Sequence, residues 1–578
     1  MGKRNSYNNK LMAIVAPVLL ISSFLYFHFI VPYHLCFKEQ IQLFIYDSTY
    51  ILSYFSKPGG LACLTGDFLT QFFYFKEGGA IIISLLLFLE WLLTVKILNS
   101  FGVKQMASLW ALLPVIAECI VIWDIYFSIA MSVSFLLLLF VFFIYTRFKN
   151  NTVSCILGII LIPALYFLLG SSMFLFPVAI LLYEISTGKK RFFYWLILIA
   201  LSVITPYFLR PHFLITMHQT YFYPYIGIKQ QGSLIMMVLI LLFSSFKIIR
   251  NKDITVLLFS LTIFFILVFG IAGLKLTTNL EREKILEIAT EAYYENWDNV
   301  LKIAEKSNYD EAIISYYTNI ALSKKTLLGE RMMEFYQPFV SGLFLPVDQE
   351  SNWFVSFFSN DVFYHIGDMN LAQYSAMLSM TFSPYQRSSR LIKRLIEINL
   401  VADDIPAAMK YIGILESSLF HKKTASQLKE MALTTQPDDY PELQKKRSQI
   451  HTINFLRSSQ NQQTSLELLL KSNPANQAAL DYLLSYHLMN KSIQGFFNVY
   501  SSYCKGKTNH VPKMYAEALL IYFAASKMKP EKIKEYNINT ELNNDFKEYT
   551  KLYESLNGDL KLLQEKFSDS YWLFYNNN

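Results

Sequence analysis

Four carboxylates lie inside or beside long apolar stretches of this 578-residue chain: Glu90, Glu118, Asp124 and Glu184. A charge placed at the centre of a hydrocarbon layer costs about 3 kcal/mol, so each is a functional candidate by default. Two further carboxylates stand in aromatic, polar runs, Tyr46-Asp47-Ser48-Thr49-Tyr50 and Gly66-Asp67-Phe68-Leu69-Thr70. Lys57, Arg210 and His212 are basic groups in the same kind of connection. A carboxylate can take a proton from a hydroxyl or hold a hard divalent cation, and a guanidinium matches a phosphate bidentately. Each residue also has a plain structural reading. Asp67 would cap a helix after Gly66, Asp124 would be a solvated turn residue, and Arg210 would be a snorkelling anchor.

The elements that must position these groups are apolar helices. Hydrophobic residues make up 53% of the chain and charged residues only 16%. The charge is uneven. Residues 1–275 hold 19 Lys+Arg and 9 Asp+Glu, whereas 276–578 hold 32 and 35. The first part is too apolar for a water-soluble fold and the second has ordinary globular composition, which excludes a wholly soluble enzyme, a disordered chain and a disulfide scaffold. A spanning helix needs about 20 mostly apolar residues. Nine stretches qualify as expected spans: 11–32, 78–95, 107–123, 125–145, 152–169, 171–185, 192–209, 233–246 and 254–273. The fifth and sixth meet at Leu169-Gly170-Ser171-Ser172, read as a tight reversal.

Basic residues orient the spans. Lys3, Arg4, Lys10, Lys96, Lys104, Arg147, Lys149, Lys189, Lys190, Arg191, Lys247, Arg250 and Lys252 occupy alternate connections. The opposite set holds only Lys38, Lys57, Lys76, Arg210 and Lys229. The N-terminus is therefore expected in the cytoplasm and, after nine crossings of the inner membrane, residues 276–578 are expected in the periplasm. Two external connections are long, 34–77 and 210–231. The first should form amphipathic helices along the membrane surface, broken at Pro58-Gly59-Gly60. The second carries Tyr221, Tyr223 and Tyr225, which suit an aromatic belt. Cys36 and Cys63 both fall in the first, where an oxidising compartment permits a disulfide. Cys119 and Cys155 read as inert packing residues.

Beyond residue 280 the pattern becomes amphipathic helices without strand-like alternation. Gly367-Asp368-Met369-Asn370-Leu371-Ala372, with Pro384 following, is echoed by Ala402-Asp403-Asp404-Ile405-Pro406-Ala407. A fainter copy occupies 490–495. Ala372 and Ala407 would let paired helices approach closely, as in a tetratricopeptide-like α-solenoid that binds a protein or peptide partner. Breaks are read at 344–349 and 436–441. His365, His421, His451, His487 and His510 show no ligand spacing and read as surface or satisfied core residues. The slightly acidic composition argues against nucleic acid.

The layout resembles two groups of proteins. The whole chain resembles multi-pass envelope proteins of Gram-negative bacteria that carry an extracytoplasmic helical-repeat tail. Residues 1–275 resemble the GT-C membrane glycosyltransferases: cytoplasmic N-terminus, acidic first external loop, an acidic residue between spans three and four. The chain departs from that family in having no adjacent acidic pair there and no Trp-Trp-Asp-Tyr-Gly run. The resemblance implies a polyprenyl-phosphate-linked sugar donor drawn from the membrane lipid. It implies Asp47 or Asp67 as base and Asp124 as a helper in holding Mg²⁺ or Mn²⁺. It places Arg210 and Lys57 on the pyrophosphate, with His212 as a further donor. The competing expectation is a non-catalytic, membrane-anchored scaffold that recruits envelope proteins through its repeats.

Overall fold

The computed structural model describes residues 2–103, 105–225, 228–246, 256–347, 352–434, 440–451, 461–507, 510–555 and 560–576. Lys104, Lys247, Arg250, Lys252, the start of the ninth stretch and most of the breaks at 348–349 and 436–439 lie outside the described residues. So do the side chains of Lys3, Arg4 and Lys229. Among the described residues the architecture is all-α, with no β-strand. The chain divides into two compact units, Met1–Leu280 with Ser417–Lys422, and Glu281–Glu416 with Lys423–Asn578.

In the first unit each of the nine apolar stretches is helical over most of its described length, but the lengths differ from expectation. Five helices are long and apolar enough to cross a membrane: Lys10–Ile30, Lys76–Ser100, Asn151–Thr187, Phe192–Phe213 and Phe259–Thr277. Ala107–Ile122, Ile129–Tyr145 and Gly232–Ser245 are shorter than a full crossing requires. The remaining difference arises because 151–187 is one helical stretch of 37 residues that turns back on itself. Gly170, at φ +73°, begins a short 3₁₀ turn. The ends of the stretch then meet: Lys189 Nζ donates to Asn151 Oδ1 at 2.8 Å and Arg191 Nη1 to the Asn151 carbonyl at 3.1 Å. A Cβ at position 170 would stand 2.6 Å from the Tyr223 carbonyl oxygen, so the turn needs glycine for space as well as for φ.

The outward faces of these helices are bare. Phe193 is 80% exposed, Phe208 72% and Ile271 66%. A continuous apolar exterior of this kind fits a lipid environment. Inside, several polar groups are paired locally. Trp91 Nε1 donates to the Ser108 carbonyl at 2.9 Å, and Ser134 Oγ to the Leu169 carbonyl at 2.8 Å. Buried Glu184 pairs with Arg191 and accepts Trp195 Nε1 at 2.7 Å.

The connection 34–77 departs from a pair of helices lying on the surface. Ser48–Ser53 is exposed or half-buried, but Gly60–Thr70 packs into the bundle against Ile129–Tyr145. Small residues make this fit: a Cβ at Gly66 would overlap the Ala130 backbone, and Gly60, Ala62 and Cys63 are buried beside it. Gly59, at φ +77°, supplies the expected break.

The second unit is a series of helical hairpins. Both clear sequence repeats coincide with turns between paired helices, Trp353–Ile366 with Met369–Phe382 and Ser389–Val401 with Ile405–Glu416. Asp368 Oδ1 accepts the Leu371 N–H at 3.2 Å and Asp404 Oδ1 the Ala407 N–H at 3.0 Å, two equivalent N-caps. Counting four residues from each cap gives Ala372 and Ala408, both fully buried. The close-approach residue of the second repeat is therefore Ala408 and not Ala407, because the turn preceding it is one residue longer. The fainter copy lies between Gln477–Met489 and Ile493–Tyr503, which also pair.

Candidate functional site

Helix Gly60–Thr70 places Cys63 and Asp67 four residues apart, on one face. Asp67 Oδ2 accepts the Tyr54 hydroxyl at 2.6 Å, and Tyr54 lies 2.5 Å from the Tyr50 hydroxyl. Gln42 Nε2 donates to the Asp67 carbonyl at 3.2 Å. Burial pushes the Asp67 carboxyl up to about 7, against the opposing pull of the Tyr54 and Gln42 hydrogen bonds. A carboxyl at that value exchanges its proton near neutrality, as a general base or acid must. The Cys63 thiol lies 3.8 Å from the Tyr223 hydroxyl. Burial, then the Asp67 charge, pushes it up to about 12, so it stays protonated and unreactive. Lys57 Nζ stands 5.9 Å from the centre of the Tyr223 ring and its charge also reaches Cys63. Lys57, Cys63 and Asp67 thus share one neighbourhood walled by Tyr54 and Tyr223.

Asp124 belongs to a different arrangement. Lys38 is buried and donates Nζ to the Phe127 carbonyl at 2.7 Å and the Asp124 carbonyl at 3.1 Å, closing the turn between two helices. Burial pulls the Lys38 ammonium down to about 7, and the Asp124 charge opposes that shift. The Asp124 carboxylate accepts the Tyr126 N–H at 3.0 Å and Gln230 Nε2 at 3.3 Å. Oδ1 closes the turn and Oδ2 ties it to Gln230. Among the described residues no group of three His, Cys, Asp or Glu is arranged to hold a metal ion.

The other expected site residues are dispersed. Asp47 is exposed and caps Ser48–Ser53 through the Thr49 and Tyr50 N–H groups at 2.9 and 3.1 Å. The Thr49 hydroxyl, then the Tyr50 N–H, hold it below the usual carboxylate range. Arg210 is exposed at the end of its helix and donates Nε to the Ile215 carbonyl at 3.1 Å. His212 is exposed and meets Phe213 edge to face. Neither hydrogen-bonds to the Asp67 group. Cys36 and Cys63 are both free thiols, so the expected disulfide is absent: Cys36 Sγ accepts Gln40 Nε2 at 3.6 Å while Cys63 faces Tyr223.

Three features escaped the sequence reading. Lys38 was counted only for orientation. Tyr223 falls in the aromatic cluster expected at the interface, Tyr54 carries no signal of its own, and nothing in their spacing ties either to Asp67. Phe420 and His421, in the short segment assigned to the first unit, pack there. His421 Nε2 meets Glu39 Oε1 at 2.6 Å, and Phe420 contacts the rings of Phe72, Tyr74 and Phe75.

A family model, described as a family of unknown function (DUF6057), matches residues 7–578, and the chain belongs to that family. No curated protein and no solved structure matches the chain.

Proposed function

We propose that this chain is a multi-pass inner-membrane protein of cell-envelope biogenesis that transfers a sugar from a polyprenyl-phosphate carrier. The observation that carries the reading is the Asp67 carboxyl, bonded by the Tyr54 hydroxyl and raised by burial, on the same helix face as Cys63, which meets Tyr223 and feels the Lys57 charge. Asp67 takes the proton of an acceptor hydroxyl. That oxygen attacks the anomeric carbon, whose bond to the phosphate oxygen breaks, and Lys57 neutralises the departing phosphate. In this reading the first unit crosses the membrane an odd number of times and leaves Glu281–Glu416 and Lys423–Asn578 in the periplasm, where tetratricopeptide-like hairpins bind the acceptor. The test is transfer by the purified chain from a radiolabelled polyprenyl-phosphate sugar. Asp67→Asn should abolish transfer while Asp47→Asn leaves it within twofold. Full transfer by folded Asp67→Asn protein ends this reading.

The dispersal of Arg210 and His212 favours a second reading, a non-catalytic scaffold that recruits envelope proteins through the hairpins. Under that reading neither aspartate substitution alters the cellular phenotype.

A further inference from the structure

The second unit contains a small cavity of about 40 Å³, room for roughly three water-sized groups. Four helices build it: Leu280–Tyr293, Ala312–Lys324, Trp353–Ile366 and Ser389–Val401. Its floor is ionic. Arg390 is almost fully buried and donates Nη2 to Asp361 Oδ2 at 2.7 Å and to the Tyr317 hydroxyl at 2.8 Å. Arg394 donates Nη2 to Asp361 Oδ1 at 2.9 Å and Nη1 to Glu397 Oε2 at 2.7 Å. Burial alone would raise the Asp361 carboxyl, but Arg390 and Arg394 outweigh it and keep the group ionised. Both its oxygens are therefore spent on the floor.

The walls carry cations laid on aromatic rings, with the carboxylates of Glu295 and Glu397 among them. Arg394 lies 4.2 Å from the Tyr364 centroid, Lys393 4.8 Å from Tyr293, and Lys324 5.5 Å from Trp297; Lys446, which does not line the cavity, lies 5.3 Å from the same Tyr364 ring. These cations crowd one another. Burial, and then the charges of Lys324, Arg394 and Lys445, pull the Lys446 ammonium well down. One wall nitrogen is unspent. His365 lines the cavity at 6% exposure; its Nε2 meets Ser323 Oγ at 2.8 Å, and its Nδ1 has no hydrogen-bond partner. A buried imidazole nitrogen left unpaired is destabilising, and a hydrogen-bonding group entering the cavity would offset that cost.

We propose that this cavity binds a phosphate group, as the free ion or as a monoester, between Lys324, Lys393, Arg394 and His365. The volume suits one tetrahedral oxyanion, and a doubly charged guest relieves the repulsion among the wall cations. The assignment stands apart from the transfer chemistry proposed for Asp67.

Calorimetric titration of the detergent-solubilised full chain tests it, with inorganic phosphate and glucose 6-phosphate as probes and acetate as the carboxylate control. One or both phosphate probes should bind at least tenfold more tightly than acetate, and which one binds distinguishes free ion from monoester. Lys324→Glu and Lys393→Glu, at the more accessible edge, should each weaken binding about tenfold or more. His365→Phe should weaken it with no change in net charge. Circular dichroism checks that each variant is folded, and Lys393→Gln replaces any charge reversal that is not. Absence of phosphate binding, acetate binding as tight as phosphate, or affinity indifferent to all the substitutions overturns the proposal.

Discussion

Asp361→Ala should be the most damaging single substitution in the second unit. The carboxylate accepts the Tyr317 hydroxyl at 2.8 Å, Arg390 at 2.7 Å and Arg394 at 2.9 Å. Its removal affects the two guanidiniums unequally. Arg394 keeps Glu397 and is 19% exposed, so water reaches it. Arg390 is 3% exposed and rests on the Tyr293 and Phe358 rings at 5.2 and 5.3 Å, so its charge stays buried without a counterion. Breaking a buried pair in this way costs about 3–5 kcal/mol. Replacing both partners, as Asp361→Leu with Arg390→Met, leaves no stranded charge and should recover most of the loss. Urea unfolding of the detergent-solubilised chain, followed by circular dichroism at 222 nm, measures each variant. A double variant as unstable as Asp361→Ala alone, or a single variant that loses under ~1 kcal/mol, would refute the reasoning.

Three further outcomes follow from particular side chains. Ala408→Leu should destabilise the second unit by about 1–3 kcal/mol through overpacking, whereas Ala407→Leu stays within about 0.5 kcal/mol, both by the same urea titration. Glu90 is fully buried and neither carboxylate oxygen has a hydrogen-bond partner, so Glu90→Met should raise the thermal midpoint of the detergent-solubilised chain; a lowered midpoint counts against this. The rate of sugar transfer should rise with pH and level off above about 7 as Asp67 ionises, and a profile flat between pH 5 and 9 contradicts the base role. Because the folded carboxyl keeps its proton to about 7 while the unfolded one releases it near 3.8, Asp67 also lowers stability as pH climbs through that window.

Hydropathy made the helices of the first unit legible, since a long apolar run has few other ways to satisfy its backbone. It did not fix crossing length. Ile129–Tyr145 and Gly232–Ser245 are only 17 and 14 residues long, and the first starts at a Ser128 side-chain cap that a sliding window cannot see. The repeat turns were legible because Asp caps and alanines are local signals. The shift from Ala407 to Ala408 escaped because it depends on turn geometry. The candidate site was half legible. A loop aspartate with a nearby lysine could be named, but choosing Asp67 over Asp47 depended on burial. Gly66 hides one against Ala130 while Ser48–Ser53 leaves the other in the open. Tyr223 is 160 residues from Cys63, a pairing that only the fold reveals.

In the proposed topology the first unit threads the bilayer and the second lies in the periplasm. A pair of fusions reads this directly, one with alkaline phosphatase and one with green fluorescent protein joined after Asn578. An active phosphatase and a dark fluorescent protein are expected. A bright fluorescent protein with a silent phosphatase would overturn the placement.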